Sequence, residues 1–164
     1  MPSKLRSRKT KTTQEPTIMG IDPSLANSGI AIANFKKEII KLHTITTEPN
    51  PLQDRIYYIS NTLEELIEEY NVHLILFENN YTGGSKEVNW VIGNIYRIAA
   101  NKGIEIVTYS PATIKKAVTG YGRANKKEMK PHIHRIFGKF RTNEHVRDAL
   151  GVIHCYFEKE VDKK

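Results

Sequence analysis

Four side chains able to ligate a metal ion stand at telling positions in this chain of 164 residues. Asp22 closes the apolar run Ile-Met-Gly-Ile-Asp-Pro-Ser, and Glu78 closes Leu-Ile-Leu-Phe-Glu-Asn-Asn. His145 and Asp148 lie three apart in Glu-His-Val-Arg-Asp-Ala-Leu. A carboxylate beside an apolar run is costly to desolvate unless something positive meets it. A divalent cation is the simplest such partner, and carboxylates, water and phosphate oxygens together suit Mg²⁺, with Mn²⁺ able to substitute. The chemistry implied is metal-assisted attack on a phosphate ester. Two ions sharing Asp22 could activate a water on one side and stabilise a leaving 3′ oxygen on the other. His145 adds a nitrogen ligand or a proton carrier, and both roles stay open. Each residue also has a plainer role: Asp22 in an Asp-Pro turn, Glu78 paired to a lysine, Asp148 favouring a helix dipole.

These residues need elements to bring them together. Thr17 to Ile21 reads as a short apolar strand, Ser28 to Phe35 as a second, and the β-branched stretch Glu38 to Thr47 as a third. Their short connections predict an antiparallel meander. From Leu52 to Tyr70 apolar residues recur every three or four positions, an amphipathic helix whose glutamates Glu64, Glu65, Glu68 and Glu69 face out. His73 to Asn79 is a dense apolar strand, central in the sheet. Tyr81 to Ser85 is a loop. The helix Val88 to Ala100 carries apolar residues on more than one face, which fits either a contact with another subunit or a fully buried central helix. Ile104 to Tyr109 is a fifth strand. Ser110 then caps a short helix opened by Pro111. A basic helix follows over Ala124 to Phe137, with Pro131 as a local irregularity, and the last runs from about Asn143 to Glu158. Spacing puts His145 and Asp148 on one face of that helix, continued by Ala149, Val152, Ile153 and Tyr156.

Net charge is +7, from 25 basic and 18 acidic residues. Residues 1–12 hold Lys4, Arg6, Arg8, Lys9 and Lys11 and no acid; a second block, Lys115 to Arg141, has nine Lys or Arg against Glu128 alone. Such segregation predicts a polyanion-binding face. Residues 1–15 read as a disordered basic tail and residues 16–160 as one domain. No apolar run reaches membrane-span length. The single cysteine, Cys155, fits a reducing compartment and sits in an apolar helix pattern as inert core.

Three strands, helix, strand, helix, strand, helices is the element order of an RNase H-like fold: α/β, with a central five-stranded mixed sheet flanked by helices. The motifs resemble one family with that fold. The run from Ile18 through Asp22 to Ala31 is similar to the opening strand pair of RuvC Holliday junction resolvases. Phe-Glu-Asn-Asn-Tyr resembles their second acidic motif, the stretch Tyr109 to Lys127 their long basic motif, and Glu144 to Val152 the closing one. The resemblance covers about residues 17–157. It implies a homodimeric, Mg²⁺-dependent endonuclease that nicks two opposed strands of a four-way DNA junction symmetrically, leaving 5′-phosphate and 3′-hydroxyl ends. It carries over Asp22, Glu78, His145 and Asp148 as metal ligands, and Lys115 and Lys126 as lysines acting on phosphate near the scissile bond. Tyr81 matches an aromatic residue that stacks on a junction base. Lys116, Arg123, Lys127 and Lys130 of the basic stretch are the further DNA-binding candidates. Members usually carry glycine where Ser24 stands, so the first turn is expected to differ. The resemblance places the protein in the cytoplasm, at a bacterial nucleoid, and leaves open a branch-migration motor as a partner; the basic N-terminal extension, atypical of the bacterial housekeeping members, instead fits a phage-encoded one acting in the host cytoplasm.

Other readings compete. One is a broader branched-DNA, flap or RNA–DNA hybrid nuclease of the same superfamily. Another is a noncatalytic junction-binding protein, which would be expected to lack part of the acidic set. An actin-like ATPase needs two such domains, for which the chain is too short.

Overall fold

The computed structural model describes residues 14–79, 84–140 and 142–162. Strands β1 (Thr17–Asp22), β2 (Asn27–Asn34) and β3 (Ile39–Thr46) form the expected antiparallel meander. Then come α1 (Leu52–Glu69), β4 (Val72–Glu78), α2 (Lys86–Lys102), β5 (Glu105–Tyr109), α3 (Pro111–Thr119), α4 (Lys126–Phe137) and α5 (Glu144–Tyr156). A single π-helical turn, Phe157–Val161, extends α5. The strands make one mixed sheet in the order β3-β2-β1-β4-β5, with β4 parallel to both β1 and β5.

Alternation along each strand sorts the core into two layers. Met19, Ile21, Ile30, Ile32, Ile75 and Phe77 face α1 and α2, meeting Ile59, Leu63, Val91, Ile95 and Ile98. Ile18, Ala31, Ala33, Leu74 and Leu76 face the other way, meeting Ile114, Ile133, Leu150 and Ile153 of α3, α4 and α5. Cys155 is fully buried in this second layer, and burial pushes its thiol up to about 11, so the inert-core reading fits.

Helix ends follow their sequence signals. Ser85, Ser110 and Asn143 each cap a helix by accepting a backbone N–H. Asn125 and Glu128 form a full capping box on α4, which then runs through Pro131 unbroken. The helix α2 is not buried all round: Val91, Ile95, Ile98 and Ala99 pack inward, while Trp90 and Tyr96 stay exposed. Trp90, with Asn89, Gly93, Asn94 and Arg97, lines a groove of about 820 Å³ against α1, shared with Leu52, Ile56 and Tyr57.

Candidate active site

Two carboxylates meet at one sheet edge because of parity and direction. Asp22 has the parity of Ile18 and Gly20, and Glu78 that of Leu74 and Leu76, so both belong to the α5 face. Strands β1 and β4 are parallel neighbours with Ile21 opposite Phe77, so both acids emerge at the same C-terminal edge. The turn after Asp22 is locked by Ser28, which is buried. Its hydroxyl donates to the Ser24 carbonyl (2.6 Å) and accepts from the Ser24 N–H (3.0 Å). The Ser24 hydroxyl itself accepts from the Asn27 N–H at 3.5 Å.

Helix α5 completes the cluster by lying almost on the backbone of β1 and β2. A side chain at Gly20 would collide with the Ala149 carbonyl and Ile153, and one at Gly29 with the backbone of His145. Glycine permits an approach that any Cβ would block. Asn143 aims the helix start: its Oδ1 accepts the Val146 N–H at 2.9 Å, and its amide donates to Thr44 Oγ1 of β3 at 2.8 Å. The result is a 2.9 Å contact between His145 Nδ1 and Asp22 Oδ2. Lys126, from the start of α4, pairs with Glu144 and reaches Asp148 Oδ2 at 3.5 Å.

The electrostatics are those of crowded, half-buried carboxylates. Burial raises the Asp22 carboxyl, partly offset by His145. Burial raises Glu78 too, reinforced by Asp148 and Asp22 and opposed by Lys115 and Lys126. Asp148 is pushed up to about 6, by burial first and the Asp22 charge next. The Lys126 ammonium holds its proton more tightly, chiefly through Glu144, which is itself held low by Lys126. Three carboxyls raised by burial, with Asp22 and Asp148 charges adding to the rise, are a hard-oxygen donor set suited to a divalent cation. Among the described residues, however, no three His, Cys, Asp or Glu side chains form a ready-made metal cage. His145 is turned onto Asp22 and Lys126 onto Asp148, so ligation requires those side chains to re-aim. Beside Glu78, Asn79 Oδ1 is buried with no hydrogen-bond partner among the described residues.

A model of the crossover junction endodeoxyribonuclease RuvC family matches residues 18–156. The chain belongs to the RuvC family. It is 33% identical over 158 residues to "Crossover junction endodeoxyribonuclease RuvC" of Treponema denticola, covering 90% of this chain and 88% of that one. Among solved structures it resembles Thermus thermophilus RuvC in complex with Holliday junction substrate. That match has a TM-score of 0.76 at 22% identity and covers 85% of this chain and 92% of that one. It also resembles the yeast mitochondrial Holliday junction resolvase Ydc2, with a TM-score of 0.60 at 16% identity over 88% and 80% of the two chains. The structural neighbours share the RNase H-like fold, and the curated relatives are named as enzymes.

Within this RuvC-family chain the expected residues fall into three groups. Asp22, Glu78, His145 and Asp148 gather at one edge, with Lys126 against them and Lys115 close enough to act on Glu78. Lys127 and Lys130 continue the basic side of α4 along a cleft that reaches Asp148. Lys116 does not join them; it lies on the far side of α3, in a groove with His132, Arg135 and His154. Arg123 is exposed in the turn between α3 and α4. Tyr81 lies outside the described residues. Sequence reasoning passed over Glu144 and Arg147. Glu144 stands four residues before Asp148, on the same helix face, a spacing that lets one lysine bridge both.

Proposed function

We propose that this chain resolves four-way DNA junctions as a metal-dependent endonuclease, with Asp22, Glu78, Asp148 and His145 holding two Mg²⁺ ions. The observation that carries the reading is the convergence of these four side chains at the C-terminal edge of β1 and β4, beside an unbroken basic helix face. When bound, Mg²⁺ supplies Lewis-acid activation of a water and charge neutralisation on the departing 3′ oxygen. The protein's own part is positioning. Glu78 and Asp22 project from parallel strand ends, so their spacing is set by the sheet and not by a loop. His145, whose Nδ1 contacts Asp22, re-aims from that carboxylate to ligate a metal or carry a proton. Lys126 and Lys115 flank the carboxylates where a scissile phosphate would sit, and serve as charge partners for it. Lys127 and Lys130 track the backbone of the DNA, and the basic residues 1–12 add nonspecific phosphate contacts.

A second copy of the chain fits the exposed α1–α2 groove, where Tyr57 and Trp90 leave apolar surface uncovered. A two-fold dimer with two such sites suits a junction with two-fold symmetry and yields paired nicks. We place its work in the cytoplasm, where the DNA of bacteria such as those of the curated relatives lies.

The decisive test is Asp22→Asn on an end-labelled mobile four-way junction in Mg²⁺, mapped on all four strands. Wild-type protein is expected to cut two opposed strands at symmetric positions. The variant is expected to lose cleavage while keeping junction affinity within a few-fold. A variant that still cuts removes Asp22 from the metal site. Preferential cutting of a flap or an RNA–DNA hybrid would move the substrate elsewhere in the superfamily.

A further inference from the structure

Past the end of α4 the chain builds a second pocket that the nuclease chemistry does not use. Gly138, at φ +93° and ψ 170°, ends the helix in a backbone conformation that favours glycine, and Phe140 and Thr142 lie near the start of α5. The resulting pocket, about 490 Å³, is lined by Lys130, His134, Phe140, Thr142, Asn143 and Arg147. That volume falls within the roughly 300–1,000 Å³ of small-ligand sites.

Three observations bear on what it takes. Its cations are unspent: among the described residues neither Lys130 nor Arg147 makes an ion pair, whereas Lys126 nearby is paired twice. The Arg147 guanidinium is also pre-aimed, because Nη1 donates to the Thr142 carbonyl at 3.1 Å. Phe140 is 39% exposed and belongs to neither core layer, so packing does not explain an aromatic ring there. Finally, the pocket is continuous with the active site. Lys130 and Arg147 also line the adjoining cleft, which holds Lys126 and Asp148. Two unpaired cations, one of them held in place, beside an exposed ring match one nucleotide, with its phosphate on the cations and its base on the ring.

We propose that this pocket is a subsite for one unpaired nucleotide of the DNA strand leaving the active site. Its base stacks on Phe140, and its phosphate lies between Lys130 and Arg147. The inference rests on the nuclease reading and adds to it a preference for locally melted strand over continuous duplex. Stacking is tolerant of base identity, so the preference is for unpaired structure and not for sequence.

The test measures binding of the full chain to labelled oligothymidylate, to blunt duplex and to a four-way junction, all in chelator so that the DNA stays intact. Phe140→Leu keeps apolar volume and removes the ring. It should weaken oligothymidylate binding about tenfold and change duplex binding far less, while Phe140→Tyr retains wild-type affinity. Lys130→Gln should lower the slope of log affinity against log salt on the single strand by about 0.7. Phe140→Leu binding oligothymidylate as wild type does overturns the subsite. So does an equal loss in Phe140→Leu and Phe140→Tyr, which makes the residue merely structural. A protein that docks at the pocket without displacing oligothymidylate would likewise end the proposal. If wild-type protein neither binds nor cuts junctions, the resolvase reading fails first; if it does both and Phe140→Leu is silent, only the subsite fails.

Discussion

The two faces of the sheet differ in how near they let a helix come. Toward α5 strand β2 presents Gly29, Ala31 and Ala33 and β1 presents Gly20 beside Ile18, while β4 adds the larger Leu74 and Leu76. Toward α1 and α2 they present Met19, Ile21, Ile30, Ile32, Ile75 and Phe77. Side-chain bulk sets how near a helix can come. On the large-residue face the helices stand off, bury their inner stripes and leave an apolar groove between them. On the other face α5 touches backbone, and the close fit sets His145 against Asp22. Apolar layers of either kind stabilise the fold, but on the α5 face the backbone contact also fixes how His145 of one element meets Asp22 of another.

Substituting the glycines tests this contrast most severely. Gly29→Val places a branched side chain where the His145 backbone lies, so α5 must move. A displacement of about an ångström at a catalytic group costs about a hundredfold in rate. Junction cleavage by Gly29→Val is expected to fall by at least that much, with a lower melting temperature by circular dichroism. Normal cleavage by this variant would break the comparison.

A smaller effect comes from pH. Asp148, raised to about 6, binds a proton more tightly in the folded chain than in the unfolded one, whose value is near 3.8. In the metal-free protein this favours folding at low pH, and the contribution is lost as pH rises through about 6. Metal binding runs the other way, because ligation needs the carboxylate ionised. Calorimetric titration with Mn²⁺ should show affinity weakening roughly tenfold per unit below about pH 6. Flat affinity across that range would remove Asp148 from the ligands.

The gentlest change is on the opposite face. Gly93, on α2, has nothing within 4 Å of where a side chain would begin. Gly93→Ala should therefore stabilise the chain by about 0.5–1 kcal/mol in urea titration, through helix propensity alone. A loss of stability there would show that α2, too, is seated by close approach.

Much of this was legible in the residues. Asp22 and Glu78 each close an apolar strand, and His145 and Asp148 share a helix face by their spacing of three. Ser110 marked the start of α3 where the structure has it. The exposed half of α2 was less clear, since an apolar surplus alone does not say whether a helix is central or waits for a partner. Lys116 and Lys127 looked alike within one basic stretch, yet α3 turns the first away from the acids while α4 lays the second along the cleft.

The sequence by itself determined the elements, their buried faces and the chemical type of the site, because periodicity and capping are local properties of the chain. Only the tertiary structure decided that β4 lies beside β1, that α5 seats on Gly20 and Gly29, and that Lys126 is shared by Glu144 and Asp148. Those outcomes depend on hydrogen bonding and steric fit between segments far apart in the chain, which no local pattern encodes.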